Sequence, residues 1–423
     1  MSQPAPPPTA SAYAILRNRD FACYLIGRFV AVLGQQMLAM AVGWELYDRT
    51  GSALALGFVG LTQMIPMILL TLPAGHVADN YNRKHVIVLM TLILAGMSLA
   101  LTLISAWAAP VFWIYLCLFI AGTVRTFLWA ASASFLPQLV ERSNFARAVN
   151  WNSSVFQLAA ILGPTAAGVV IGWTHHAAWV YGLNVVAALT CSVLVGLVRL
   201  HHVAVVKEKM TVKALLTGFS FVFSNRIIFG IITLDMFAVL LGGATALLPV
   251  YAKEILRVGP TLLGLLQTAL PLGAILCSFI LAHRPPLQKA GRALLWAVAA
   301  FGLATIAFGL SQWFWVSFAM LFVCGAVDNV SVVVRHTLVQ LLTPNEKRGR
   351  VSAVNNLFIG TSNELGGFES GAVAQWFGPA MGHTIAMGAM LSVVAGGVGT
   401  ILVVVGIALV WPEIRKYGRL DGP

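Results

Sequence analysis

The chain has 423 residues, 59% hydrophobic and only 9% charged, where a soluble domain carries about 25% charged residues. A mean hydropathy of +0.86 is too high for a water-facing surface. Composition therefore excludes a soluble enzyme, a disordered chain and a nucleic-acid binder, and points to a protein embedded in lipid. In such a protein the placement of the basic residues says more than the net charge of +12.

Taken in chain order, the first residues, MSQPAPPPTASA, carry no charge and no apolar core. They read as a tail over 1–18 with no cleavable leader. Twelve apolar runs long enough to cross a membrane follow: 21–46, 54–77, 84–106, 111–137, 147–172, 177–198, 227–251, 260–283, 291–311, 313–340, 350–376 and 381–411. The longest gap, 199–226, holds Lys207, Glu208, Lys209 and Lys213 before an apolar stretch. It reads as a linker with an amphipathic surface helix. The expected architecture is all-α, with twelve transmembrane helices in two six-helix bundles over 19–198 and 227–411, and a tail over 412–423.

Alternating the spans from a cytoplasmic N-terminus sorts the basic residues. Arg17, Arg19, Arg83, Lys84, Arg142, Arg147, the linker cluster with Arg199 and Arg226, Arg284, Lys289, Arg292, Lys347, Arg348, Arg350, Arg415, Lys416 and Arg419 fall inside. Only Arg49, Lys253 and Arg257 fall outside. This positive-inside pattern places both termini in the cytoplasm. Trp44, Trp107, Trp113, Trp173, Trp179, Trp313, Trp315 and Trp376 gather at the predicted outer ends, as an interfacial aromatic belt does.

Seven charges remain inside spans: Arg28, Arg125, Asp235, Asp328, Arg335, Glu364 and Glu369. Each costs about 2.5–3.5 kcal/mol on insertion scales, so they must pair, neutralise or face water. Arg28, Arg125, Asp235 and the pair Asp328 and Arg335 lie on helices 1, 4, 7 and 10. These are the first helices of four successive triplets, and repeats would bring them to one central cavity. The plainer readings stay open. Asp328 and Arg335, seven apart on one face, could pair structurally, and Arg28 could snorkel. Glu364 and Glu369 diverge by about 140° around their helix, and either could carry a proton. The five cysteines sit in apolar runs without metal-ligand spacing. No nucleotide-binding loop is present. The sequence thus calls for no cofactor and no metal.

Between helices 2 and 3 stands Gly75-His-Val-Ala-Asp79-Asn-Tyr-Asn-Arg83-Lys84. This resembles the G-x-x-x-D-R/K-x-G-R-R/K signature of the major facilitator superfamily, with Asn80 and Asn82 in place of the usual basic residue and glycine. Asn82 is expected to tolerate the left-handed geometry of a tight turn. Helix 5 carries Ala159-x₃-Gly163-Pro164-x₂-Ala167-Gly168, similar to the helix-5 signature of antiporters in that superfamily; plain helix packing would use the same small residues. The start LRNRDFACYLIGRF and the stretches RGRVSAVN at 348–355 and SNELGGFESG at 362–371 resemble the enterobactin exporter group and its macrolide and multidrug relatives.

The resemblance implies two bundles rocking around a midplane site, in a pseudo-symmetric monomer in the inner membrane. It implies proton-coupled export of a siderophore-like or drug-like small molecule by antiport. Asp79, Arg83 and Lys84 would latch the cytoplasmic side, the three arginines would attract an anionic substrate, and a carboxylate would carry the proton. Uptake of a nutrient, lipid flipping and a non-transporting scaffold remain as alternatives.

Overall fold

The computed structural model describes residues 14–199, 219–285, 288–344 and 347–418. Twelve long helices dominate the described residues: α1 Arg19–Thr50, α2 Ala53–Asn80, α3 Arg83–Ala106, α4 Val111–Leu139, α5 Phe145–Thr174, α6 Ala178–Gly196, α7 Arg226–Ile255, α8 Pro260–Ala282, α9 Ala290–Leu310, α10 Phe314–Leu342, α11 Arg348–Phe377 and α12 Ile385–Val410. Most of the linker cluster, Lys207 to Lys213, and Arg419 lie outside the described residues.

Local chemistry fixes many of the helix ends. The Asn18 side chain accepts from the N–H groups of Asp20 and Phe21 at 2.9 and 3.2 Å and starts α1. Gly51, at φ 60°, ends α1 in the left-handed conformation that a residue without Cβ adopts freely. Asn82 differs from the expected left-handed turn. Its backbone is extended, and its side chain accepts from Lys84 N–H at 3.0 Å, so it caps α3. α7 is not continuous. An α-helix over Arg226–Leu241 breaks at Gly242 and Gly243, and the span resumes as a 3-10 turn, Ala244–Leu247, and a π turn, Tyr251–Ile255.

Eleven of the twelve are long and apolar enough to cross a membrane. The exception is α11, which carries Arg348, Arg350, Asn355, Asn356, Asn363, Glu364 and Glu369. Its neighbours α2, α7 and α12 pack against it, and of its polar residues Asn355, Ser362 and Ser370 are buried.

The two halves repeat one packing plan. α1 packs on α5 and α6, α3 on α4 and α6, and α2 on α4; six helices later, α7 packs on α11 and α12, α9 on α10 and α12, and α8 on α10. The halves meet through α2 with α11 and α5 with α8, pairs that the same pseudo-twofold exchanges.

The meeting is confined to the end away from the termini. There one apolar cluster runs through both halves, joining Met40, Leu46, Tyr47 and Tyr181 to Leu247, Tyr251, Leu263 and Phe308. Toward the termini the cores are separate: one holds Phe21, Phe135 and Val195, another Ile231, Leu294 and Ile407. Close backbone approach makes the joint. A Cβ on Gly264 of α8 would strike the Pro164 carbonyl of α5, and one on Gly168 of α5 would strike the Pro260 carbonyl of α8. The helix-5 motif thus serves the joint between halves through Pro164 and Gly168, while Gly163 lies against Gln36 of α1.

Polar contacts reinforce this joint. Tyr47 donates to Glu254 at 3.0 Å, Lys253 pairs with Asp48 at 2.5 Å, Ser52 donates to Gln375 at 3.1 Å, and Thr261 donates to the Gly168 carbonyl at 3.2 Å. Trp107, Trp173, Trp179, Trp313, Trp315 and Trp376 stand exposed around the same end.

Candidate functional site

Below the joint lies a cavity of about 410 Å³, within the range of small-molecule sites. Its lining runs from Gln36 and Gln63 beneath the joint to Tyr24 and Val195 toward the end that carries the termini. Its walls come from α1 to α6, and α11 adds one residue, Glu364. Periodicity explains the α1 wall: Tyr24, Arg28, Ala31, Gln35 and Val32 recur at three- and four-residue spacing on one helix face.

Of the seven embedded charges, three reach this cavity: Arg28, Arg125 and Glu364. Arg125 of α4 donates to the Gln63 side chain of α2 at 2.7 Å. Glu364 lies across from it on α11, within its electrostatic reach. The Glu364 carboxylate rests on Gly60, where a Cβ would come within 3.1 Å of it. It therefore sits where the two halves touch. Arg28 has a buried Nε without a hydrogen-bond partner, so its side chain turns into the bundle and does not snorkel.

The C-terminal charges go elsewhere. Arg335 pairs with Asp235, not with Asp328, and both members are buried, at 3% and 8% exposure. Asp328 lines a void of about 10 Å³ beside Asp235 and Ser331, room for about one water. Glu369 accepts from its neighbour Ser370 at 3.4 Å and is not on the cavity wall. The expectation that helices 1, 4, 7 and 10 bring their charges to one cavity is thus met only for 1 and 4. In the second half the cation is spent on its own carboxylate.

The loop motif divides as well. Arg83 Nε donates to the Ala78 carbonyl at the end of α2, at 3.1 Å, and Lys84 donates to the Val198 carbonyl after α6, at 2.8 Å. Both cations satisfy carbonyls at helix ends, as the helix dipole favours. Gly75 lies in the last two turns of α2, one turn before Asp79. Asp79 makes no hydrogen bond or ion pair among the described residues.

Charge counting missed much of the wall. Gln35, Gln36 and Gln63, with Trp129, Thr91, Asn184 and Cys191, all line the cavity. Uncharged amides inside apolar runs were a usable signal for the first three. Cys191 reads as a small hydrophobe in sequence, and only the packing of α6 against α1 turns it inward.

Comparison with known proteins agrees with this architecture. The Major Facilitator Superfamily pattern matches residues 24–367. The chain is 26% identical over 418 residues to the enterobactin exporter EntS of Escherichia coli O1:K1 / APEC, covering 94% of this chain and 93% of that one. The EntS of strain E24377A is 25% identical over 416 residues with the same coverage.

Among solved structures, a bacterial homolog of the human lysosomal transporter Spinster, inward-facing and occupied, superposes with a TM-score of 0.76 at 14% identity, covering 96% of this chain and 99% of that one. The peptide-transporter-family protein PepTSo superposes at 0.72 with 12% identity, covering 94% and 99%. Such low identities speak to the fold alone. A twelve-helix plan repeated in two halves and a pattern match across most of its length identify this chain as a member of the major facilitator superfamily, a multi-pass membrane transporter of a small molecule and not an enzyme.

Proposed function

We propose that the protein exports a siderophore-like organic molecule across the inner membrane in exchange for protons. The observation that carries this reading is the cavity, open on the side with the basic residues and closed on the side with the tryptophans. By the positive-inside rule the open side is cytoplasmic, so both termini are cytoplasmic and the site is poised to load from within. The likeness to enterobactin exporters over 94% of the chain supports outward transport and a siderophore-like substrate. The joint at the far end is the gate that opens in alternation, with the bundles acting as rigid bodies within one monomer.

Glu364 is the one carboxylate on the cavity wall among the described residues and the carrier we assign to the proton. As a carboxylate it accepts hydrogen bonds from substrate hydroxyl or amide groups. Protonated from outside, it loses most of that accepting capacity. Substrate and proton then compete for one group, which is the condition for exchange. Arg125, held by Gln63, supplies a positive charge on the same cavity wall as Glu364. Asp79, unpartnered in this inward-open state, is assigned to meet the start of α11, near Arg348, when the cytoplasmic side closes.

Two experiments test the reading. Iron-limited cells with and without the gene should differ in a secreted siderophore; an unchanged medium removes siderophore export. In proteoliposomes, substrate-driven proton movement should vanish in Glu364→Gln, while coupling that persists would take Glu364 out of the proton path.

A further inference from the structure

The cavity has two levels, and the lower one has a chemistry of its own. Arg125, Gln63 and Glu364 stand at the upper level, against the joint. Arg28 lies seven residues below Gln35 on α1, roughly 10 Å nearer the open end. Around it α1, α3, α4 and α6 leave a recess inside the N-terminal bundle, walled by Ile87, Leu128, Val195 and Cys191, with Tyr24, Thr91 and Ser132 adding hydroxyls.

Arg28 is the one charge in that recess among the described residues. No carboxylate is within ion-pair distance of it among the described residues. Its buried Nε has no hydrogen-bond partner, and its electrostatic neighbours are the Tyr24 hydroxyl and the Cys191 thiol. A guanidinium in an apolar recess without a counter-charge is costly unless an anion joins it. Contrast Arg335, more deeply buried but ion-paired with the Asp235 carboxylate.

We propose that the Arg28 recess is an anion subsite that takes an aryl carboxylate or phenolate group of the substrate, ring against the apolar walls and acid on the guanidinium. This inference rests on the transport reading above and assigns the acidic end of the substrate. Its hydrogen-bond-donating end is left to Glu364 at the upper level. Every group of the subsite belongs to the N-terminal bundle, so the acid stays bound to one rigid body while the other half rocks. Arginine suits the task because its planar fork meets a carboxylate through two parallel hydrogen bonds.

The test uses purified full-length protein in lipid nanodiscs, with benzoate as the probe and benzamide as its uncharged counterpart. Calorimetric titration should show benzoate binding and benzamide binding at least about tenfold weaker, the difference a charge-assisted hydrogen bond makes. Arg28→Gln should abolish the preference, and Arg28→Lys should restore part of it. Arg284→Gln, at an exposed residue off the cavity wall, should leave benzoate affinity within about threefold. Equal binding of benzoate and benzamide, or unchanged benzoate affinity in Arg28→Gln, overturns the subsite.

Where Arg28→Gln proves unstable, Cys191 gives a second readout in a variant whose other four cysteines are serine. An anionic thiosulfonate should modify it faster than a cationic one, and benzoate should protect it. The reverse order of rates, or no protection, overturns the subsite too. Secretion of siderophore without a preference for benzoate would sink this inference alone. A preference without secretion would sink the export reading alone.

Discussion

The two bundles share one packing plan and use it for opposite electrostatic ends. In the N-terminal half the helices part to leave a cavity, and Arg28 and Arg125 face it without a carboxylate partner from their own bundle. In the C-terminal half the helices close, and the Asp235–Arg335 pair is sealed inside with space for little more than one water beside Asp328. The difference teaches that a repeated fold need not repeat a site. One half leaves its two embedded arginines without a carboxylate of its own bundle, and the other pairs its embedded arginine with Asp235.

That contrast predicts which substitutions strike stability and which strike transport. Arg335→Met should have the largest effect. It leaves the Asp235 carboxylate buried and alone, which costs about 3–5 kcal/mol, so thermal unfolding of the purified protein should move sharply down. Adding Asp235→Leu should recover most of the loss, and an equally unstable double variant would show that the pair is not what stiffens this half.

Arg125→Gln should behave in the opposite way. It should unfold like the parent but lose substrate binding by about 1.5–3 kcal/mol, the range for a hydrogen bond to a charged group, read as affinity in a transport-competent preparation. A stability loss as large as that of Arg335→Met would erase the contrast between the halves.

Gly264→Leu acts on the joint between them. Overpacking costs about 1–3 kcal/mol, paid only when the far end closes, so inward-open molecules should become fewer by roughly 5–150-fold. Distances between spin labels across the far end would report it, and unchanged distances would show that the α5–α8 approach does not set the conformation. Lys253→Met should have the smallest effect. Its pair with Asp48 is partly exposed, and screening limits such a pair to less than about 1 kcal/mol, a shift of a few-fold in the same measurement.

Much of this was legible in the sequence because lipid imposes simple rules. Runs of about 20 apolar residues pointed to the twelve helices, and only the run expected at 350–376, helix α11, falls short of an apolar span. The cavity was legible in part. Arg28, Arg125 and Glu364 stood out as charges that lipid would not tolerate. What hid the rest was partner choice. Whether Arg335 meets Asp328 on its own helix or Asp235 on α7 depends on how two helices rotate against each other, and spacing along one chain does not carry that. The same holds for Cys191, whose surroundings come from α1.

The far-end joint also gives the transporter a thermal signature. Opening it would bring Tyr47, Leu247, Tyr251 and Phe308, now buried in one cluster, into contact with water. Hydrating apolar surface raises heat capacity by about 0.45 cal/K/mol for each Å². The enthalpy of opening therefore grows with temperature, and turnover limited by that step should follow a curved line, not a straight one, when its logarithm is plotted against reciprocal temperature. A gate built from salt bridges alone would show little of that curvature. The oily contact that holds this end shut would also make its opening sensitive to cold.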